Sequence, residues 1–237
     1  DDDGGSGAGI YIDDFVIYKN ENENDSFPEG EPITDEQQNF EAYVCFGAEE
    51  NDIYNGTLKL GDYNGNINES GKHYITLIHM SASWSSPDWN NIPHLAGLLD
   101  IYRDNPAVKV ISNLDDIGQP YNCQQWGNRY LDFGDRVPII TDDGSSYIFW
   151  DWFNTVGAFP SHVILDHNMV IRYEGNNINA GSTMNVIDEL LDYCGELCEH
   201  NDIIGDINND DDINIYDIIT LIDYIMSGWF NPQGDIN

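Results

Sequence analysis

The run His73–Ala82, "HYITLIHMSA", constrains the fold more than any other stretch. A strand with one face in water alternates apolar and polar residues, so a nearly continuous apolar run belongs to a strand covered on both faces. The segment after it supplies a cover: in "PDWNNIPHLAGLLDIYRDN" the residues Trp89, Ile92, Leu95, Leu98 and Leu99 recur at helical spacing. "AVKVISNLDD" repeats the buried-strand pattern, "NCQQWGNRYLDFG" reads as a helix ending at Gly134, and "RVPIITDDG" as a short strand and turn. "HVILDHNMVIRYEG" reads as a hairpin turning at Asp166–Asn168, and "STMNVIDELLDYC" as an amphipathic helix capped by Ser182 or Thr183. Strand, helix, strand, helix, hairpin, helix predicts an α/β domain with a mixed sheet over residues 40–200.

The flanks differ in composition. Residues 1–39 hold one alternating run, Ile10–Tyr18, followed by the acidic, Pro-containing "KNENENDSFPEGEPITDEQQ", a linker composition. The lone strand needs a sheet to complete it, and "GIYIDDFVI" resembles the last strand of jelly-roll, lectin-like domains, which implies a separate domain upstream. At 237 residues the chain has room for one full domain and a smaller module, and both ends read as cuts from a longer polypeptide.

Charge narrows the partners. The 43 Asp and Glu against 8 Lys and Arg give a net charge of -35, which repels nucleic acid and anionic membrane surfaces. The same carboxylates suit divalent cations and high ionic strength. No run approaches the ~18 apolar residues of a membrane span, so membrane insertion is not expected.

At the junction of the first buried strand and its helix stands "SWSSPDW". A Trp, two small residues, a Pro and a polar residue at a helix mouth, with "VGAFPSHVILD" before the hairpin, resemble the thioredoxin-like superfamily, in particular its extracytoplasmic thiol-disulfide branch. The resemblance covers about 150 residues and implies a thioredoxin-like mixed sheet flanked by helices. Trp84 and Pro87 match the family's Trp and Pro, and Pro160 matches its cis-proline. Ser85 stands where the attacking cysteine would be and Asp88 where the resolving one would be. The resemblance therefore implies a degenerate site without catalytic residues, in which Asp88 serves as a cap at the positive end of the helix dipole. A hydrolytic set of Ser85 and Asp88 with His79 or His162 would need base and nucleophile in contact, which the spacing does not supply. Aromatic residues are dense around the loop, leaving a peptide- or glycan-binding groove open, with core packing the plainer reading.

Four cysteines remain, Cys45, Cys123, Cys194 and Cys198, with no Cys-x-x-Cys among them. On a helix Cys194 and Cys198 would lie within reach of a disulfide, against two buried thiols as the alternative. Cys123 opens a predicted helix whose dipole would activate it, so reaction with peroxide or pairing with Cys45 is one reading. A half-buried small residue is the one preferred.

The C-terminal "GDINNDDDINIYDIITLIDYIMSG" carries the sharpest signal. With Asp206 as the first position, side-chain oxygens fall at Asn208, Asp210, Asn214 and Asp217, and Asp212 stands where a backbone carbonyl normally coordinates, the spacing of an EF-hand-type Ca²⁺ loop. Asp211 departs from the Gly usual in such a turn. Ile218, Ile219, Leu221, Ile222 and Ile225 would form the apolar face of the following helix. The segment resembles a dockerin repeat, and "GDIN" at Gly234–Asn237 begins a second, truncated one. This implies a small α-helical, EF-hand-like module over residues 201–237 that engages a cohesin-like partner or a neighbouring subunit.

The sequence therefore predicts an extracellular or cell-surface calcium-binding protein, not an enzyme, with a redox-dead thioredoxin-like domain and an attachment module. One alternative is an oxidoreductase or peroxidase working through Cys123. Another is a homo-oligomer or filament assembled by addition of the Ile10–Tyr18 strand to a neighbouring sheet.

Overall fold

The computed structural model describes residues 31–154, 157–176, 178–199, 207 and 215–227. The run Ile10–Tyr18 read as a strand, the residues Asp206, Asn208, Asp210, Asp212 and Asn214 read as Ca²⁺ ligands, and the second "GDIN" read as a truncated repeat lie outside them.

The run that opened the sequence reading becomes β3 (Ile75–Ala82), all eight of whose residues are buried. It pairs in parallel with β4 (Val108–Asp115) and antiparallel with β6 (Ser161–Leu165), so it lies deep within a seven-stranded sheet. The strand order is β2-β1-β5-β4-β3-β6-β7, with β1 at Ala42–Phe46, β2 at Thr57–Leu58, β5 at Ile139–Gly144 and β7 at Ile171–Gly175. The parallel β3–β4 pair is joined through α2 (Ser86–Ile101), and β4 leads through α3 (Cys123–Leu131) to the parallel β5. One face of the sheet packs α2, α3 and α5 (Ala180–Cys194) around Leu77, Leu95, Trp126, Tyr130, Ile164 and Leu190. The other face gathers Ile78, Met80, Ile111, Val163, Leu165 and, from α4 (Ile148–Phe153), Phe149 and Phe153. The last described helix is α6 (Ile215–Ser227). Sheet order, mixed pairing and two helical layers make this a thioredoxin-like fold.

Local chemistry places the boundaries, and in two places they differ from expectation. Within the stretch read as linker, Asp35–Asn39 form α1, because Thr34 and Gln37 make a reciprocal capping box and the Ile33 N–H donates to the Met169 carbonyl at 2.8 Å. α5 begins at Ala180 rather than at Ser182 or Thr183, since Asn179 Oδ1 accepts from the N–H groups of Gly181 and Ser182. The apolar face expected of the C-terminal helix is open to solvent in α6: Ile218, Ile219, Ile222 and Ile225 are exposed.

The hairpin turns where the spacing placed it. Asp166 Oδ1 accepts from the N–H groups of Asn168 and Val170 at 2.8 and 3.0 Å, and Oδ2 from Arg172 Nε at 2.6 Å. The carboxylate thus holds the turn and neutralises a buried guanidinium at once.

Candidate functional site

The Trp84–Asp88 loop sits where β3 ends and α2 begins. Ser85 is the N-cap of α2, its hydroxyl accepting from the Asp88 N–H at 3.5 Å, and Pro87 lies in the first turn, where a missing N–H costs nothing. Asp88 does not cap the helix. It reaches back, Oδ2 accepting from the Ala82 N–H at 2.7 Å, while Oδ1 lies buried with no partner among the described residues. Burial, partly opposed by the Ala82 and Ser85 hydrogen bonds, pushes its carboxyl up to about 7. Across the loop the Phe159–Pro160 peptide is cis, with Pro160 buried.

His79 and His162 do not join this loop. They are register partners on β3 and β6, ring centroids 6.4 Å apart, and none of their four ring nitrogens has a hydrogen-bond partner among the described residues. Burial, with His162 as a second cause for His79, lowers them to about 3 and about 4, so both are neutral at ordinary pH. The structure therefore does not bring His79 or His162 together with Ser85 and Asp88 as a nucleophile, base and acid set.

The residues around Trp84 escaped the sequence reading. Asp116, just beyond β4, holds the left-handed conformation at φ 52° and receives three donors on its carboxylate: Trp84 Nε1 at 2.7 Å, Ser145 Oγ at 2.8 Å and the Tyr147 hydroxyl. Those bonds, Tyr147 first, lower its pKa. Tyr147 is left-handed too, at φ 54°, and its N–H donates to the buried Asp115 at 3.2 Å. Burial and then the Asp143 charge push Asp115 up to about 8. Phe159 stands edge-on to Trp84 at 5.8 Å and stacks on Trp150 at 5.3 Å. A left-handed Asp or Tyr has no sequence signature, so this cluster was legible only as aromatic density.

The sulfur lies elsewhere. Cys45 and Cys123 form a disulfide, with a Cα–Cα distance of 6.2 Å across 78 residues of sequence. Cys123 is the first residue of α3, whose N-cap is Asn122: its side chain accepts from the Gln125 N–H at 2.9 Å while Gln125 Oε1 accepts from the Asn122 N–H at 3.0 Å. Cys123 is 9% exposed; Cys45, on β1, is half-buried. The segment leading to Cys123 is tied to the Trp84 loop, since the Gln119 N–H donates to Ser83 Oγ at 3.2 Å and Tyr121 stacks on Trp89 at 3.9 Å. Cys194 and Cys198 form a second disulfide, Cα–Cα 5.6 Å, at the end of α5.

Of the metal residues read from sequence, Asp217 alone is described. It is 3% exposed in the first turn of α6, and its Oδ1 accepts from the Ile207 N–H at 2.7 Å. Among the described residues, no group of three His, Cys, Asp or Glu side chains is placed to hold a metal ion, and no helix is long and apolar enough to cross a membrane.

No family model and no curated protein matches the chain. Solved structures do. A secreted Mycobacterium tuberculosis disulfide oxidoreductase homologous to E. coli DsbE is 13% identical over 65% of this chain and 98% of its own, with a TM-score of 0.46. A thioredoxin-family thiol:disulfide interchange protein from Chlorobium tepidum is 9% identical over 69% and 99%, at 0.49. The exposed lipoprotein thioredoxin of Streptococcus pneumoniae is 16% identical over 63% and 98%, at 0.43. At these identities the likeness is one of fold.

The expectation of a redox-dead, non-catalytic protein is corrected by the Cys45–Cys123 pair. The reading that Cys123 is only a small half-buried residue fails because β1 and the start of α3 meet, a proximity of residues 78 apart that spacing cannot reveal. The expectation that the chain is not an enzyme loses its premise with it, since that expectation rested on the absence of paired cysteines and the domain carries the Cys45–Cys123 disulfide.

Proposed function

We propose that the chain is an extracytoplasmic thiol-disulfide oxidoreductase that acts on protein substrates through the Cys45–Cys123 disulfide. The observation that carries this reading is the position of Cys123 at the head of α3, opposite a half-buried Cys45. A thiolate released at a helix N-terminus is stabilised by unpaired backbone N–H groups and the helix dipole, so Cys123 is the better leaving group and Cys45 the sulfur attacked. A substrate thiolate attacks Cys45 Sγ, the Cys45–Cys123 bond breaks, and the electron pair leaves with Cys123. A second substrate thiolate then attacks the substrate sulfur of the mixed disulfide and releases Cys45. Two electrons pass from the substrate dithiol to the pair, and the two thiol protons end on Cys45 and Cys123. Run backwards, the steps reduce a substrate disulfide. Two disulfides within one domain suit an oxidising, extracellular compartment.

The test mixes oxidised protein with an equimolar dithiol peptide and follows peptide oxidation by chromatography. Stoichiometric peptide disulfide, abolished in Cys123→Ser and Cys45→Ser, is expected. A peptide that stays reduced while Cys45–Cys123 stays intact would overturn the reading and leave the bond a structural staple.

A second reading concerns the C-terminal segment, which we propose is a dockerin-like Ca²⁺ loop closed by Asp217. Its support is the Ile207–Asp217 hydrogen bond, which ties the second and twelfth positions of the loop together. Asp206, Asn208, Asp210, Asn214 and Asp217 would supply side-chain oxygens and residue 212 a backbone carbonyl. Calorimetric titration with Ca²⁺ tests it: binding lost in an Asp206→Ala, Asp217→Ala double variant is expected, and equal heats from the two proteins would exclude the loop.

A further inference from the structure

Asp116 presents an unusual combination. Its carboxylate takes hydrogen bonds from three neutral donors, Trp84, Ser145 and Tyr147, and, among the described residues, no Lys or Arg pairs with it. The low pKa that these donors impose keeps it charged. The groups beside it are aromatic: Phe159 contacts the rings of Trp84, Tyr147 and Trp150, and Tyr147 contacts Trp150, at centroid separations of 5.3–6.3 Å. Trp84 is 53% exposed.

An indole that donates its N–H to a carboxylate becomes richer in π-electron density, because hydrogen bonds polarise one another. Trp is already the strongest aromatic partner for a cation, and a fixed negative charge at its edge adds Coulomb attraction from the same side. Sugars would also stack on an exposed indole, but their hydroxyls would need free carboxylate lone pairs, and Asp116 already accepts three hydrogen bonds; what it still offers a ligand is its charge. The net charge of -35 concentrates cationic partners around the molecule before contact.

We propose that Trp84 and Asp116 form a docking point for an arginine or lysine side chain in a basic segment of a partner polypeptide, the cation lying on the exposed indole face beside the carboxylate. As the substrate dock of the exchange reaction it rests on the oxidoreductase reading. The Asp116–Asn122 segment links it to that chemistry, running from the carboxylate at the edge of Trp84 to the N-cap of α3, one residue before Cys123. Tyr147 and Ser145 are positioning residues that orient the Asp116 carboxylate.

The experiment is calorimetric titration of the full chain, at moderate salt, with a cysteine-free tetra-arginine peptide capped at both ends and with its citrulline counterpart. The absence of thiols separates docking from exchange: either can fail while the other stands. Binding of the arginine peptide at least fivefold tighter than the citrulline peptide is expected, with a loss of about fivefold in Trp84→Ala, a partial loss in Trp84→Phe and a loss of about tenfold in Asp116→Asn. A Glu49→Gln, Glu50→Gln variant, which removes more charge at exposed positions outside the cluster, should bind as the parent does. Should folded Trp84→Ala bind as tightly as the parent, or the Glu49/Glu50 variant lose as much as Asp116→Asn, the attraction is diffuse and the docking point does not exist.

Discussion

At the scale of the residue, Asp166 shows how one side chain does two jobs. Its Oδ1 ties the Asn168 and Val170 N–H groups of the turn, while Oδ2 pairs with Arg172 in a buried ion pair. Removing the carboxylate takes the ion partner from a buried guanidinium and both turn hydrogen bonds at once, so Asp166→Ala should cost about 3–5 kcal/mol in chemical unfolding. A loss below about 1 kcal/mol would mean that Arg172 reaches solvent when released. Ser85 gives a smaller effect. It is the N-cap of α2, and Ser85→Ala should cost about 1 kcal/mol by the same assay without altering the Cys45–Cys123 couple.

At the scale of the element, the contact that matters is α3 against β1, because it carries the disulfide. Gly127 lies on α3 where an added Cβ would fall 2.4 Å from the Phe46 ring of β1. Gly127→Ala therefore wedges these two elements apart. It should cost about 1–3 kcal/mol, and after reduction it should slow re-formation of Cys45–Cys123, measured as free thiol against time in a glutathione buffer. Unchanged re-oxidation would show that Phe46 swings clear. The disulfide itself closes a long loop, worth about 4.5 kcal/mol in the chain-entropy account. The bond therefore stabilises the fold whether or not it turns over, and stability and exchange have to be read in separate assays.

At the scale of the whole molecule, the four buried groups with the largest shifts among the histidines and carboxylates dominate the pH dependence, with burial moving Asp143 and Glu174 up and His167 down in the same senses. His79 and His162 fall from 6.5 to about 3 and about 4, so the unfolded chain protonates first and stability is lost as pH drops below about 6.5 towards those values. Asp88 and Asp115 rise from 3.8 to about 7 and about 8, so the folded chain keeps the protons and stability is lost as pH rises from about 4 through 7 and 8. Between about pH 4 and 6.5 the pairs oppose one another; above it only the carboxylates act. Thermal melts should show a Tm that is flat over that interval and falls from pH 6.5 to 8.5, with the fall reduced in Asp88→Asn. A Tm that climbs over that range would contradict the burial of both carboxylates. Added NaCl should raise the Tm at pH 8, since screening relieves the self-repulsion of a chain at -35.

What the sequence determined by itself was the pattern that burial imposes on a chain. The uninterrupted apolar run of β3, the helical spacing of α2 and the Asp166 turn are local properties, written in consecutive residues, and they suffice for a mixed α/β sheet and for the resemblance to thioredoxin-like proteins. Ser85 and Asp88 were equally legible as residues, but not in their roles: which of them caps α2 depends on where the Ala82 N–H points. The tertiary structure alone decided that Cys45 meets Cys123, that His79 faces His162 across two strands, and that Asp116 collects Trp84, Ser145 and Tyr147. Those are contacts between segments far apart in the chain, fixed by strand order and by left-handed residues that leave no periodic trace. Periodicity records which side of an element is buried; only the packed sheet records what it is buried against.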